Sequence, residues 1–331
     1  MSPHYYRPVI SIFLGVSIYS YAAASITQVQ NGVTLHAAVD SGLDLLVKNL
    51  IEQGKSVNGL DSDGRTALHI AVEKGNFSLV ELLLSFMPDL NAVDRDGKTP
   101  LLVAAGRGNI ILTKLLIKNG AHINCHDREG NTPLHYAARN QNYNLFESLI
   151  SLKASMVCNN KRQTPLHFAV SSDAQNLIKK ILNDKPSSII EADVHKNNAL
   201  HCAILEGKKG ALGCLIKYST LHYMNKALSS ANSAGLGPLN LAASLGSVPM
   251  LKILLDAGCL INVQNQIGFT ALHYSVRHKH FEAVKFLIDK GASTGVKDNY
   301  GQTPLHLAFD MNNQNIVELL LNKHLVRVKH P

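Results

Sequence analysis

Thr132-Pro133-Leu134-His135 and Thr164-Pro165-Leu166-His167 share a pattern that returns as Thr66-Ala67-Leu68-His69, Thr270-Ala271-Leu272-His273 and Thr303-Pro304-Leu305-His306. Weaker copies stand at Thr34-Leu35-His36, Thr99-Pro100-Leu101-Leu102, Asn198-Ala199-Leu200-His201 and Gly237-Pro238-Leu239-Asn240. From His36 to His306, eight intervals cover 270 residues, a mean of about 34. A period of that length marks stacked supersecondary units. It replaces the two or three compact domains that 331 residues would otherwise suggest.

Each part of the pattern has a physical reason. In Asp94-Arg95-Asp96-Gly97-Lys98-Thr99-Pro100, Gly97 supplies the positive φ of a tight turn. Thr99 caps a helix through its hydroxyl, and Pro100 suits the first helical position, where no N–H is needed. The spacing predicts a short helix to about Ala105, a break at Gly108, and a second helix with Ile111, Leu115 and Leu116 on one face, closed by Gly120. The same grammar returns at Gly64 with Gly75, Gly268 with Gly291, and Gly301. Helices this short are unstable alone, so each unit must bury its apolar face against its neighbours.

These motifs and their period resemble the ankyrin repeat, over nine units from about residue 31 to 322. The resemblance implies an all-α ankyrin-repeat solenoid of stacked helix pairs with β-hairpin-like turns. It also implies a structural role for the seven His at the Thr-x-Leu-His position, whose rings bind the Thr hydroxyl and nearby backbone.

The pattern weakens in the middle. Arg162 and Lys196 stand where the turn Gly belongs, Asp173 where the inter-helix Gly belongs, and Asn198 in place of Thr. Between His201 and Asn240 the interval stretches to 39 residues, with the extra segment around Tyr218 to Ala234. It reads either as a lengthened loop or as a hinge or binding loop at the centre of the array.

Residues 1–24 carry the marks of a secretory signal peptide: one charged side chain, Arg7, an apolar run from Val9 to Tyr21, and Ala22-Ala23-Ala24 at the cleavage position. The expectation is export to a periplasm or the exterior. The alternative is a membrane anchor over residues 9–26. Residues 25–30 read as a linker and 323–331 as a basic tail.

Hydrophobic residues make up 46% and charged residues 17%, too apolar for a disordered chain and too polar for a polytopic membrane protein. The formal charge is +8, which allows nucleic-acid or acidic-surface binding as an alternative function. Five Cys form no disulfide framework, although Cys202 and Cys214, within one helix pair, could bridge in an oxidising compartment. His122, Cys125 and His126, and His278 with His280, lack the spacing of a closed zinc site. The residues show no catalytic motif and no cofactor motif, so the chain is expected to be neither an enzyme nor a metalloprotein.

Ankyrin proteins usually bind partners through the turn tips and the exposed end of the first helix. Carried over residue by residue, the first part of that strip includes Arg65, Lys74, Arg95, Lys98, Arg107, Arg128, Arg139 and Lys161, with Asp63, Glu73, Asp96, Glu129 and Asn131 between them. The second part presents Val194, Leu205, Leu236, Leu245, Ile267, Phe269, Tyr300 and Met311. The expectation is a monomeric protein-interaction scaffold. Its basic part steers an acidic protein partner, and Ile267, Phe269 and Tyr300 anchor it.

Overall fold

The structure, a computed structural model, describes residues 33–328, with side chains placed through Leu321. The expected leader and linker, and all of the side chains of the basic tail, lie outside the described residues. Among those described there are nineteen α-helices, one 3₁₀ helix and no strand. None of these helices is long and apolar enough to cross a membrane. The chain divides into two compact units, up to Arg128 and from Glu129 onward.

The first unit holds three helix pairs: α1 (Leu35–Asp40) with α2 (Asp44–Glu52), α3 (Ala67–Lys74) with α4 (Phe77–Ser85), and α5 (Pro100–Gly106) with α6 (Ile110–Lys118). α1 packs on α3 and α3 on α5, so the first helices form one layer and the second helices back them. Leu68, Leu79, Leu83, Leu101 and Leu116 are fully buried in the core between them. The caps follow the motif. Thr66 and Thr99 accept from the backbone N–H three residues on, and Pro100 opens α5. On α6 the apolar face differs from the expected one. Ile111 is 68% exposed, and Leu112, Thr113 and Leu116 face the core, because the helix starts at Ile110 and turns Ile111 outward.

The turns between pairs are tight and stacked rather than strand-forming. Asp61 N–H donates to Arg65 O at 2.9 Å, and Asp61 Oδ1 accepts from the N–H groups of Asp63 and Arg65, both at 2.8 Å. Arg95 N–H then donates to Asp63 O, and Arg128 N–H to Asp96 O, tying each tip to the one before. Gly97 sits at φ 77°, and a Cβ there would stand 2.9 Å from Arg128 N. This close approach is what requires glycine.

The second unit holds α7 (Pro133–Arg139) with α8 (Tyr143–Ser151), α9 (Pro165–Ser171) with α10 (Gln175–Asp184), and α11 (Ala199–Leu205) with α12 (Lys209–Tyr218). After an added helix α13 (Leu221–Ser229) come α14 (Pro238–Ser244) with α15 (Val248–Asp256), α16 (Ala271–Arg277) with α17 (Phe281–Asp289), and α18 (Pro304–Asp310) with α19 (Gln314–Val328). The first helices pack in the order α7, α9, α11, α14, α16, α18, bypassing α13.

The extra segment is therefore a docked helix, not a loop. Its Met224 and Ala227 are buried, and it packs on a 3₁₀ helix at Pro186–Ile190, whose Ser188 and Ile189 are buried as well. Arg162, Asp173 and Lys196 keep the left-handed conformation of the glycines they replace, at φ 58°, 57° and 59°. Each carries the roughly 1 kcal/mol that a Cβ costs there. All five cysteines are free, Cys202 and Cys214 included. The Cys214 thiol donates to Gln175 O at 3.3 Å.

The motif His residues form a ladder within each unit. His69 Nε2–H donates to Lys98 O at 2.9 Å, which leaves Nδ1 as the acceptor of both the Thr66 N–H and the Thr66 hydroxyl. His135, His167 and His273 repeat this arrangement toward Gln163, Asn197 and Gln302. The ring thus joins its own helix cap to the following turn, as the resemblance implies.

Candidate functional site

Two successive turns of the second unit build the most ligand-like part of the tip strip. In the first, Asn265 Oδ1 accepts from the N–H groups of Ile267 and Phe269, and Asn265 Nδ2 donates to the Tyr274 hydroxyl at 2.8 Å. In the second, Asp298 Oδ1 accepts from the N–H groups of Tyr300 and Gln302. Asn299 N–H donates to Ile267 O at 3.2 Å, and Asn299 Nδ2 to Gln266 O at 2.9 Å, so the tips are held side by side. Gly268 lies at φ 82°, where a Cβ would meet Asn299 N at 2.7 Å. Only glycine admits this contact without a shift.

Ile267 is 40% and Tyr300 83% exposed on these tips. Phe269, expected beside them at the surface, is 4% exposed. Its ring stacks on His273 at 5.2 Å, meets Tyr274 edge-on at 5.3 Å and lies beneath the Arg277 guanidinium. The physical reason is that Phe269 directly precedes the capping Thr270, so its side chain turns inward onto the motif His. It forms the floor of a cleft of about 430 Å³, with Ile267 and Tyr300 on its walls and Arg277, Leu307 and Met311 completing it. Arg277 and Leu307 carry no signal in the motif. They belong to the site because each faces the tip from a first helix.

The Asp298 carboxylate is buried, and its Oδ2 has no hydrogen-bond partner. Burial pushes the Tyr274 hydroxyl above the ordinary phenol range, so it stays a neutral acceptor for Asn265. The site offers aromatic and aliphatic walls, with Arg277, Asp298 and Gln302 also in its lining.

The other apolar positions are less concentrated. Val194, Leu205 and Leu245 are each about half exposed, and Leu236 is half-buried with its carbonyl accepting from His201 Nε2.

Six of the eight basic strip residues stand in ion pairs. In the first unit Arg65 pairs with Asp61 at 2.9 Å and with Glu73, and Arg107 reaches the same Glu73 at 2.6 Å. Lys74 pairs with Asp40, Arg95 with Asp63, and Lys98 with Asp96. In the second unit Lys161 lies 3.9 Å from Glu129. Arg128 and Arg139 are exposed. Asn131, counted on the strip, is buried, its Oδ1 accepting from Asn159 Nδ2 at 2.8 Å. Among the described residues no three His, Cys, Asp or Glu are grouped as metal ligands.

The family model for ankyrin repeats (3 copies) matches residues 35–127, 78–160, 102–195 and 239–330. Residues 196–238, with the added helix, fall between its windows. Over 88 residues the chain is 34% identical to the nuclear factor NF-kappa-B p105 subunit of Gallus gallus. That match covers 26% of this chain and 9% of the chicken protein's length. The windows of the family model span well over half of the residues, and, apart from Pro238, all helix pairs but Ala199–Leu205 with Lys209–Tyr218 lie in them. On that coverage the chain belongs to the ankyrin-repeat family.

Proposed function

We propose that the chain is a non-enzymatic scaffold of nine ankyrin units that binds another protein through the tips of its second compact unit. Ankyrin repeats generally mediate protein–protein interaction. The observation that carries the site is the pair of exposed side chains, Ile267 and Tyr300, on either wall of the 430 Å³ cleft floored by Phe269. Exposed apolar and aromatic groups around a concavity are where binding energy concentrates.

Of the eight basic strip residues, six stand within 4 Å of a carboxylate. Such pairs cancel at longer range, which weakens both the steering role and the nucleic-acid alternative.

Ile267→Ala with Tyr300→Ala should weaken capture of the partner by about thirtyfold or more, the loss of a typical aromatic anchor. The same capture at about 0.15 and 0.5 M salt should differ little, whereas a nucleic-acid binder would lose most of its affinity.

A further inference from the structure

The seventh unit departs from the motif at both of its polar positions at once, with Gly237 where Thr belongs and Asn240 where His belongs. Gly237 keeps the extended conformation of a helix cap, φ −73° and ψ 166°, close to that of Thr164, but makes no capping bond. A Cβ on Gly237 would meet nothing nearer than Ser230 O at 3.7 Å, so the room a Thr side chain would take is open. Asn240 still reaches the next turn, through Nδ2 to Phe269 O at 3.5 Å, but without the bulk of an imidazole.

Beside these two residues lies a cleft of about 600 Å³. The end of the added helix α13 forms one wall with Leu228, and the segment after α15 forms the other with Leu260 and Val263. Leu260 is 74% and Val263 49% exposed. No Asp, Glu, Lys or Arg lines the cleft, while five carboxamides do. The thiol of Cys259 on the same wall is pushed up to about 11 by burial, so it too is uncharged at neutral pH. Two departures from the repeat, a lost side-chain pair and an inserted helix, thus enclose one uncharged concavity. Its size is that of small-molecule sites, and its apolar walls with a few amide groups match their usual lining.

We propose that this cleft binds an uncharged small organic molecule with an apolar body and one or two hydrogen-bonding groups. The charge-free lining selects against ions, because a buried charge would find no partner there. The cleft shares no lining residue with the tip cleft at Ile267 and Tyr300, although its Asn265 and Gln266 belong to the turn that carries Ile267, so dye binding and partner capture are read separately.

The test is a fluorescence titration of the full chain with Nile red, a neutral apolar dye. Wild type should bind it saturably, one dye per chain, with a Kd below about 10 µM. The double variant Gly237→Thr/Asn240→His rebuilds the motif pair inside the cleft. It should bind the dye about tenfold more weakly or worse while melting at the same temperature or higher. Leu260→Arg, a change at an exposed position, should weaken binding similarly and guards against misfolding of the double variant. Ile267→Ala/Tyr300→Ala should leave dye binding unchanged. Absence of saturable binding, or equal affinity in Leu260→Arg and a folded double variant, would overturn the proposal. So would loss of protein-partner capture in the double variant with dye affinity retained, since the cleft would then belong to the protein interface.

Discussion

Acidification below about pH 6.5 should destabilise the chain, with the urea midpoint falling as pH drops toward about 5. Burial holds the imidazoles of His69, His167, His201 and His273 below the ordinary histidine range. In the unfolded chain the same groups take up protons near pH 6.5. The folded state resists that uptake, so their contribution to stability is complete above about pH 6.5 and is lost as pH falls toward the depressed folded values. A histidine that stays neutral in the folded state while the unfolded chain protonates removes at most about 1.4 kcal/mol per pH unit, and several such groups act in the same direction. A domain of ordinary stability holds about 5–15 kcal/mol in total. The geometry explains why protonation is resisted. At His69, His167 and His273, Nδ1 already accepts from a Thr N–H and a Thr hydroxyl, so a proton there would face the N–H and break the cap. Asp61, whose carboxyl burial would raise but hydrogen bonds from Arg65 and Asp63 lower, stabilises the fold at neutral pH and loses that contribution only below about pH 4. Urea melts at pH 7.5, 6 and 5 check this. A flat midpoint would show that the ladder is not held neutral.

His167→Ala should cost about 3–5 kcal/mol, the larger of two contrasting losses at the same motif position. The wild-type ring is 1% exposed and bonds three groups, the Thr164 hydroxyl, the Thr164 N–H and Asn197 O, at 2.9, 3.1 and 3.2 Å. Removing it leaves those groups buried without the ring and opens a buried cavity. His306→Ala, in the last Thr-x-Leu-His copy, should cost under about 1 kcal/mol, because that ring is exposed and water replaces it. Chemical denaturation of both variants decides the point. Equal losses would mean that the motif acts through its own helix cap alone and not through the bond to the next turn.

The comparison of these two histidines also shows what could be read from residues alone. Caps at Thr66, Thr99 and Thr303, and the turns at Gly64, Gly97 and Gly268, were legible because each depends on a few adjacent residues. Which side chain faces out was harder wherever helix phase or local packing, not the motif, decided it. Ile111 and Phe269 exchange their expected places for that reason, one turned out by the start of its helix and the other folded onto His273. The helix Leu221–Ser229 was hidden because its nine residues are too few to show a clear period, and it is fixed by packing on Pro186–Ile190. The basic strip looked like a field in sequence because Asp40 and Asp61, the partners of Lys74 and Arg65, lie outside the tip positions. Ile267 and Tyr300 were legible as exposed tips, while the cleft between them rests on Arg277 and Leu307, which no motif marks.

Site-directed photocrosslinking measures directly whether a protein partner sits on the tips of the second unit. A photoreactive residue at position 300, on the tip, is compared with one at position 111, exposed on a second helix of the first unit. Position 300 should crosslink the protein captured by wild type and lost with Ile267→Ala/Tyr300→Ala, and position 111 should not. Crosslinking of that protein from position 111 and not from position 300 would contradict that placement.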